Sequence, residues 1–311
     1  MITIHRIAIL IPCYNEAPTI SRVIHELRSI VPEATIYVYD NNSHDHTAEL
    51  SRQAGAIVRL EKRQGKGYVV RRMFSDIEAD VYVMLDGDAT YDARALPQML
   101  QLLIEGFYDM VVGCRVAQDK QAYRQGHSTG NKIFNALLKL FFNSPFTDIF
   151  SGYRVFSRRF VKSFVQNSKQ FEIETDLSLH ALELGMPVVE IPTPYYERPE
   201  GSFSKLSTYK DGLRILRRIL VLLKDVRPLL FYSGFSLLFL VGSLSMGIPV
   251  ILDFFQTGLV ERMPSAILAA SLMIMSLLSF TAGLILDSVA KMRRDNKKLA
   301  YLVIPHHDAT P

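Results

Sequence analysis

The chain has 311 residues, no tryptophan and only two cysteines. Cys13 and Cys114 are too few for a disulfide framework, and free thiols fit a reducing compartment. Charge is missing from two long stretches. Residues 229–252 (LLFYSGFSLLFLVGSLSMGIPVIL) and 263–286 (MPSAILAASLMIMSLLSFTAGLIL) contain no Asp, Glu, Lys or Arg. Each would form a helix of roughly 36 Å, against a bilayer core of about 30 Å. A soluble core helix of that length would carry a polar face. Both stretches are therefore expected to span a membrane. A cleavable leader is not expected, because the first apolar run, 7–11, is short, strand-like and without a cleavage site.

The basic residues gather beside these apolar runs. Lys205, Lys210, Arg214, Arg217, Arg218, Lys224 and Arg227 precede the first run, and Lys291, Arg293, Arg294, Lys297 and Lys298 follow the second. The link 253–262 holds Asp253, Glu261 and Arg262. The positive-inside bias then puts both termini and the large N-terminal part in the cytoplasm, with the link outside. The formal charge of +4 reads as a basic collar facing a lipid bilayer, which excludes nucleic acid as the partner. In 208–226, Lys210, Arg214, Arg217, Arg218 and Lys224 form one helical face opposite Leu, Ile and Val. In 132–143, Lys132, Asn135, Lys139 and Asn143 form a narrow polar stripe. Either stretch could pack on a sheet, but beside a membrane anchor such helices are expected in the interface. The expected division is a cytosolic domain at 1–204, a juxtamembrane helix at 205–227, a two-helix anchor at 228–290 and a basic tail at 291–311.

The N-terminal part alternates between apolar runs and helical periodicity. Residues 6–12, 34–40, 55–60, 80–86 and 109–114 read as strands, with helices near 17–31, 45–54, 66–77 and 94–105. Strands that are apolar throughout and alternate with helices predict an α/β fold with a mainly parallel sheet covered on both faces. Ligands bind such sheets at the carboxyl ends of the strands. Asn15 and Glu16, Asp40 to Asn42, Asp86 and Asp88, and Arg115 stand at those ends and are expected to share one crevice.

Several polar stretches there can carry chemistry. Asp86 and Asp88, in LDGDA, lie on one side of an extended chain and repel unless a proton or cation sits between them. Hard oxygen donors suit Mg²⁺ or Mn²⁺. The plainer reading is a glycine-containing turn with solvated aspartates. DNNS (40–43) can cap a turn or accept hydrogen bonds from a base or ribose. KRQGKG (62–67) precedes a helix and can approach an anion. RPEGSFSKL (198–206) is either a flexible basic linker or a phosphate clamp built on Arg198 and Lys205.

The order of IPCYNE (11–16), DNNSHDHT (40–47), RQGKGYVVRRM (63–73), LDGDA (85–89), DIFSGYRVFSRR (148–159), FEIETDLSLHALELG (171–185) and ERPEGSFSKL (197–206) resembles family 2 inverting glycosyltransferases of the GT-A fold. Two following apolar helices make the chain similar to the polyprenyl-phosphate glycosyltransferases. The resemblance implies a UDP- or GDP-linked sugar donor, a polyprenyl-phosphate acceptor and a Mg²⁺ or Mn²⁺ cofactor. It implies that Pro12, Tyr14, Glu16, Asp40 and Asn42 hold the nucleoside, with Lys66 nearby. Asp86 and Asp88 would hold the metal-bound diphosphate, with Asp88 the direct ligand. Arg115 and Arg124 would face the reacting phosphates, and Arg198 and Lys205 would close over them. Asp176 matches the region that supplies a base in relatives with hydroxyl acceptors; a phosphate acceptor leaves it an orienting role. Thr90 stands where relatives often carry Gln, and Asn41 where they carry the second Asp of VDDGS. Similar proteins include tetramers. Processive polysaccharide synthases carry a Trp-containing acceptor motif, which this chain lacks. A hydroxyl-acceptor transferase and a membrane-tethered nucleotide-sugar sensor remain as alternatives.

Overall fold

The computed structural model describes residues 6–117, 139, 146–164, 173–198, 220–221 and 223–305. Arg124, Lys205 and most of the amphipathic stretches 132–143 and 208–226 lie outside the described residues. The chain divides into two compact units, Met1–Thr208 with Lys297–Pro311, and Tyr209–Asn296.

The first unit is built on one seven-stranded sheet. Five strands match the apolar runs: β1 (Ile7–Cys13), β2 (Thr35–Asp40), β3 (Ile57–Leu60), β4 (Val81–Met84) and β5 (Met110–Ala117). Between them run α1 (Ile20–Ile30), α2 (Thr47–Gln53), α3 (Lys66–Asp76) and, after a 3₁₀ turn at Ala93–Ala95, α4 (Leu96–Glu105). The later part adds β6 (Arg154–Ser157), α5 (Arg158–Ser163), α6 (Ile173–Leu184) and β7 (Val188–Tyr195). The strand order is β3-β2-β1-β4-β6-β5-β7. Every pairing is parallel except those of β6 with β4 and with β5. Two antiparallel steps restore the original direction, so β5 ends on the same side of the sheet as β4.

Apolar matter covers both faces. On one, Ile9, Ile11, Val38 and Val83 pack with Val23, Ile24 and Leu27 of α1 and Leu96, Met99 and Leu103 of α4. On the other, Phe74 of α3 meets Tyr82 and Phe156 edge-on, and Phe156 meets Phe160 of α5 at 4.8 Å between centroids. The expectation of strands apolar on both faces fails at β3. It pairs only with β2 at the sheet edge, leaving Ile57 and Leu60 nearly half exposed. Both cysteines are free thiols.

Asp109, just before β5, is a fully buried carboxylate. It accepts hydrogen bonds from Arg159 at 2.5 and 2.8 Å, Ser157 Oγ at 2.6 Å and Tyr301 Oη at 2.8 Å. Tyr301 comes from the last turns of the final helix, where Lys297 also pairs with Glu183 at 2.7 Å. The chain's last described helical turns are thus an integral part of the sheet unit.

The second unit holds α7 (Pro228–Thr257) and the preceding part of α8 (Met263–Val303). Both helices are long and apolar enough to cross a membrane, with mean hydropathies of 2.2 and 2.0 over an 18-residue stretch of each. Most of their large apolar side chains, such as Leu238, Phe255 and Leu277, are exposed. Their seam uses small residues. Ser243 Oγ donates to the Ala269 carbonyl at 2.8 Å, Ser276 Oγ to the Ser236 carbonyl at 2.8 Å, and a Cβ on Gly283 would stand 3.0 Å from Tyr232 Cβ. Close backbone approach with hydroxyl bonds between helices is how apolar helices associate without a hydrophobic drive.

His180 of α6 lies edge-on to Phe160 and Phe164, with Nε2 3.1 Å from Ser163 Oγ. Burial, and then the charge of Lys297, push its pKa down to about 3. An unfolded His titrates near ~6.5. Between those values the unfolded chain binds the extra proton, so the contribution of neutral His180 is complete above ~6.5 and is lost as pH falls toward the folded value. Acidifying from pH 7 to 5.5 is expected to cost about 1 kcal/mol at this site. Thermal melts at the two pH values check it; His180→Gln should flatten the dependence, and an unchanged slope would exclude His180 as its source.

Candidate active site

The register of β1 with its neighbours sets Cys13 opposite Asp40 and Leu10 opposite Met84, so three carboxyl ends open side by side. Asp86 and Asp88 follow β4 on a turn, not on the extended chain their spacing suggested. Nor does Gly87 supply the turn's unusual backbone: the left-handed residue is Ala89, at φ 59°. Gly87 is needed for space, since a Cβ there would stand 2.8 Å from Cys13 Sγ.

Asp88 is 2% exposed. Its Oδ1 accepts from Thr90 Oγ1 at 2.6 Å and its Oδ2 pairs with Arg198 Nη2 at 2.7 Å. Burial, and then the neighbouring Asp86 charge, push its carboxyl above the usual range against the pull of Arg198. Asp86 Oδ1 pairs with Lys66 Nζ at 2.5 Å, and Lys66 also reaches Glu174 Oε1 at 2.6 Å. Burial works against the Lys66 ammonium, but the carboxylates of Asp86 and Glu174 outweigh it and hold its pKa well above the usual range. Lys66, expected near a nucleoside, has its ammonium at the acidic pair because it opens α3 and faces the turn after β4.

Gly152 closes the other side of Asp86: a Cβ there would lie 2.7 Å from Asp86 Oδ2 and 3.3 Å from Lys66 Nζ. Its N–H donates to Tyr91 Oη at 2.8 Å. The loop carrying it is held by Arg154, whose fully buried guanidinium donates to the Ser151 and Ile149 carbonyls and to Ser178 Oγ at 2.7–2.9 Å. Burial lowers the Arg154 pKa to about 10, which leaves it charged at neutral pH. Arg115 forms a bidentate pair with Asp148 at 2.7 and 2.8 Å and lies over the Tyr195 ring, which packs edge-on to Tyr91. Burial opposes the Asp148 charge, but the Arg115 pair holds its carboxyl below the usual range.

At the ends of β1 and β2, Asp40 Oδ2 accepts from the Ser43 N–H, while the buried Oδ1 has no hydrogen-bond partner among the described residues. The Asn42 amide, expected at the nucleoside, donates to the Lys62 carbonyl at 2.7 Å and to Gln64 Oε1 at 3.3 Å. Asn41 is the buried tie: its Nδ2 donates to the Glu61 and Arg63 carbonyls and its Oδ1 accepts from the Gly65 N–H. An Asp could not make the two donations, which accounts for Asn here. Tyr14 stands edge-on to His44 at 6.4 Å. The Glu16 carbonyl accepts from the N–H groups of Thr19 and Ile20 as α1 begins, and Pro12 faces Tyr39 across the strands. Asp176 lies with Glu174 in the first turn of α6.

The fold therefore brings together Asp86, Asp88, Lys66 and Arg198, with Arg115 linked through Tyr195 and Tyr91. Glu174, Asp148, Gly152 and Arg154 escaped sequence reasoning. Each stood inside a quoted motif, but only long-range contacts reveal its partner. Among the described residues no three His, Cys, Asp or Glu side chains are grouped to hold a metal. Two carboxylates fit a hard dication that completes its shell with phosphate oxygens and water.

Charged side chains gathered at the carboxyl ends of parallel strands are where α/β folds bind their ligands. Residues 8–164 match Glycosyl transferase family 2, and the chain belongs to that family. It is 33% identical over 295 residues to the glycosyltransferase AglJ of Haloferax volcanii, covering 94% of this chain and 96% of that one. It is 27% identical over 217 residues to a dolichyl-phosphate hexose transferase of the same organism, covering 70% and 93%. Among solved structures, glucosyl-3-phosphoglycerate synthase from Mycobacterium tuberculosis in complex with Mn²⁺, UDP and phosphoglyceric acid aligns with a TM-score of 0.57 at 19% identity, covering 71% of this chain and 78% of that one. That likeness bears out the GT-A fold.

Gly152→Ala tests the packing of the site. The added methyl cannot fit without moving Asp86 or Lys66, so the KM for the sugar donor is expected to rise roughly tenfold, or ~1.4 kcal/mol, in line with modest overpacking. Steady-state kinetics with a parallel thermal melt check it, and an unchanged KM would mean that the loop yields instead.

Proposed function

We propose that this protein transfers a hexose from a nucleoside-diphosphate sugar to polyprenyl phosphate, with inversion at the sugar, at a membrane that its two apolar helices cross. The observation that carries the reading is the Asp86–Lys66 and Asp88–Arg198 pairing in one crevice at the carboxyl end of β4. It is supported by the similar dolichyl-phosphate hexose transferase and by the Mn²⁺ and UDP bound in the M. tuberculosis neighbour. Termini and sheet unit are assigned to the cytosol, from the basic residues flanking the apolar runs.

Asp88, and Asp86 beside it, are the residues that would hold Mg²⁺ or Mn²⁺. The bound dication supplies Lewis-acid stabilisation to the leaving diphosphate. Asp40, with a buried oxygen that lacks a partner among the described residues, accepts a hydrogen bond from the nucleoside, and Tyr14 offers it a ring face. Arg115 is held rigid by Asp148 and positions phosphate oxygens; Arg198 is placed to exchange Asp88 for phosphate. By their place in the motifs, Arg124 and Lys205 are assigned to the same anions. The acceptor phosphate has a second pKa near ~6, so it arrives largely ionised and needs positioning more than a general base. Asp176 accordingly orients neighbouring groups.

The test is incubation of the detergent-solubilised chain with polyprenyl phosphate, Mg²⁺ or Mn²⁺ and a panel of labelled UDP- and GDP-sugars, followed by extraction of labelled glycolipid. Asp88→Asn is expected to lower turnover by about 100-fold or more, the scale of losing an electrostatic stabiliser. Asp176→Asn should stay within about threefold, since no proton needs removing. Transfer to hydroxyl acceptors alone, or equal losses in the two variants, would overturn the phosphate acceptor.

A further inference from the structure

Both carboxylates of the acidic pair are already engaged by protein cations, and the two engagements differ in kind. Arg198 reaches Asp88 from beyond the end of β7. Lys66 is anchored at the first residue of α3, and the preceding Gly65, at φ 135°, donates its N–H to Asn41 Oδ1 at 2.7 Å. Its ammonium bridges Asp86 Oδ1 and Glu174 Oε1 at 2.5 and 2.6 Å. The Glu174 side chain is only 10% exposed and stands in the first turn of α6, where the helix dipole favours its negative charge. The second carboxylate of this bridge is therefore fixed independently of the acidic pair.

We propose that Lys66 is an internal counter-cation displaced from Asp86 when a divalent metal binds, and that Glu174 is the positioning residue that then keeps its ammonium in the crevice, facing the donor diphosphate. A dication and an ammonium repel strongly on one carboxylate at the low effective dielectric of a protein crevice. Gly152 backs Asp86 so closely that a Cβ there would stand 2.7 Å from Oδ2, which keeps the carboxylate beside the Lys66 ammonium and in competition for the same cation. Without Glu174 the four-carbon stem of Lys66 would carry its charge into water. With Glu174, the released ammonium stays within reach of Asp86 and adds a fixed donor for phosphate oxygens. The charges account for the order of events. Asp86, Asp88 and Glu174 against Lys66 and Arg198 leave one net negative charge, which attracts a dication; the dication reverses the sign and attracts the diphosphate.

The inference rests on the donor half of the proposed function and is independent of the acceptor. Mn²⁺ binding by the full chain in detergent is followed by electron paramagnetic resonance with neither donor nor acceptor present. Lys66→Met is expected to tighten Mn²⁺ about tenfold by removing the competitor, while Lys62→Met, a nearby basic residue with no contact to the pair, should change it less than twofold. UDP and GDP binding is then measured by calorimetry at saturating Mn²⁺. Lys66→Met should weaken the nucleotide that binds about tenfold, and Glu174→Gln should weaken it about fivefold, with Glu174→Asp recovering part of the loss. Charge alone predicts the opposite for Glu174→Gln, because removing a negative group beside a diphosphate would tighten it. Unchanged or weaker Mn²⁺ binding in Lys66→Met, or tighter nucleotide binding in Glu174→Gln, would overturn the proposal. Failure of glycolipid formation with these binding results intact would overturn the acceptor assignment instead.

Discussion

Two carboxylates one residue apart, one of them almost wholly buried, cannot both stay ionised unless positive charge is brought to them. Much of the sheet unit is arranged around that requirement. Lys66 comes from the start of α3, Arg198 from beyond β7 and Glu174 from the start of α6. No two of these are near one another in sequence, and each is delivered by a separate element at the carboxyl side of the sheet. The site is thus an electrostatic balance that the fold assembles, and under the proposed function a divalent ligand or a phosphate group would enter it by exchanging partners.

The supporting layer uses polar side chains to fix backbone. Asn41 ties the β2 end to the 61–65 loop through both its amide nitrogen and its oxygen. Arg154, buried with no ion-pair partner in direct contact among the described residues, directs its donors at two loop carbonyls and a serine hydroxyl. Leaving those groups unpaired in the interior would cost more than the hydrogen bonds themselves contribute. The motif DIFSGYR is accordingly a bracket: Asp148 holds Arg115, Gly152 makes room for Asp86, and Arg154 locks the loop between them.

Legibility in the sequence followed the range of the interactions. Continuous apolar runs marked β1, β2, β4 and β5, because a strand buried on both faces has no polar side to hide. β6 escaped since it is four residues long and begins with an arginine, and only its antiparallel seat between β4 and β5 makes it a strand. β7 contains two prolines, tolerable at the end of the sheet, where β5 is its one neighbouring strand among the described residues. Asp86 and Asp88 were legible as a pair, yet the reason for their glycine was not: Gly87 answers to Cys13 across the sheet, and the left-handed backbone belongs to Ala89.

By itself the sequence determined the alternation of strands and helices, the two charge-free helices and the acidic pair, all of which depend on residues close along the chain. Tertiary structure decided the partners. Lys66 pairs with Asp86 and Glu174, and the Asn42 amide donates to the Lys62 carbonyl, contacts that no local pattern announces. The physical reason is range: burial and periodicity are written locally, whereas a hydrogen bond or ion pair between residues 20 or 108 positions apart exists only once the sheet has set their elements side by side.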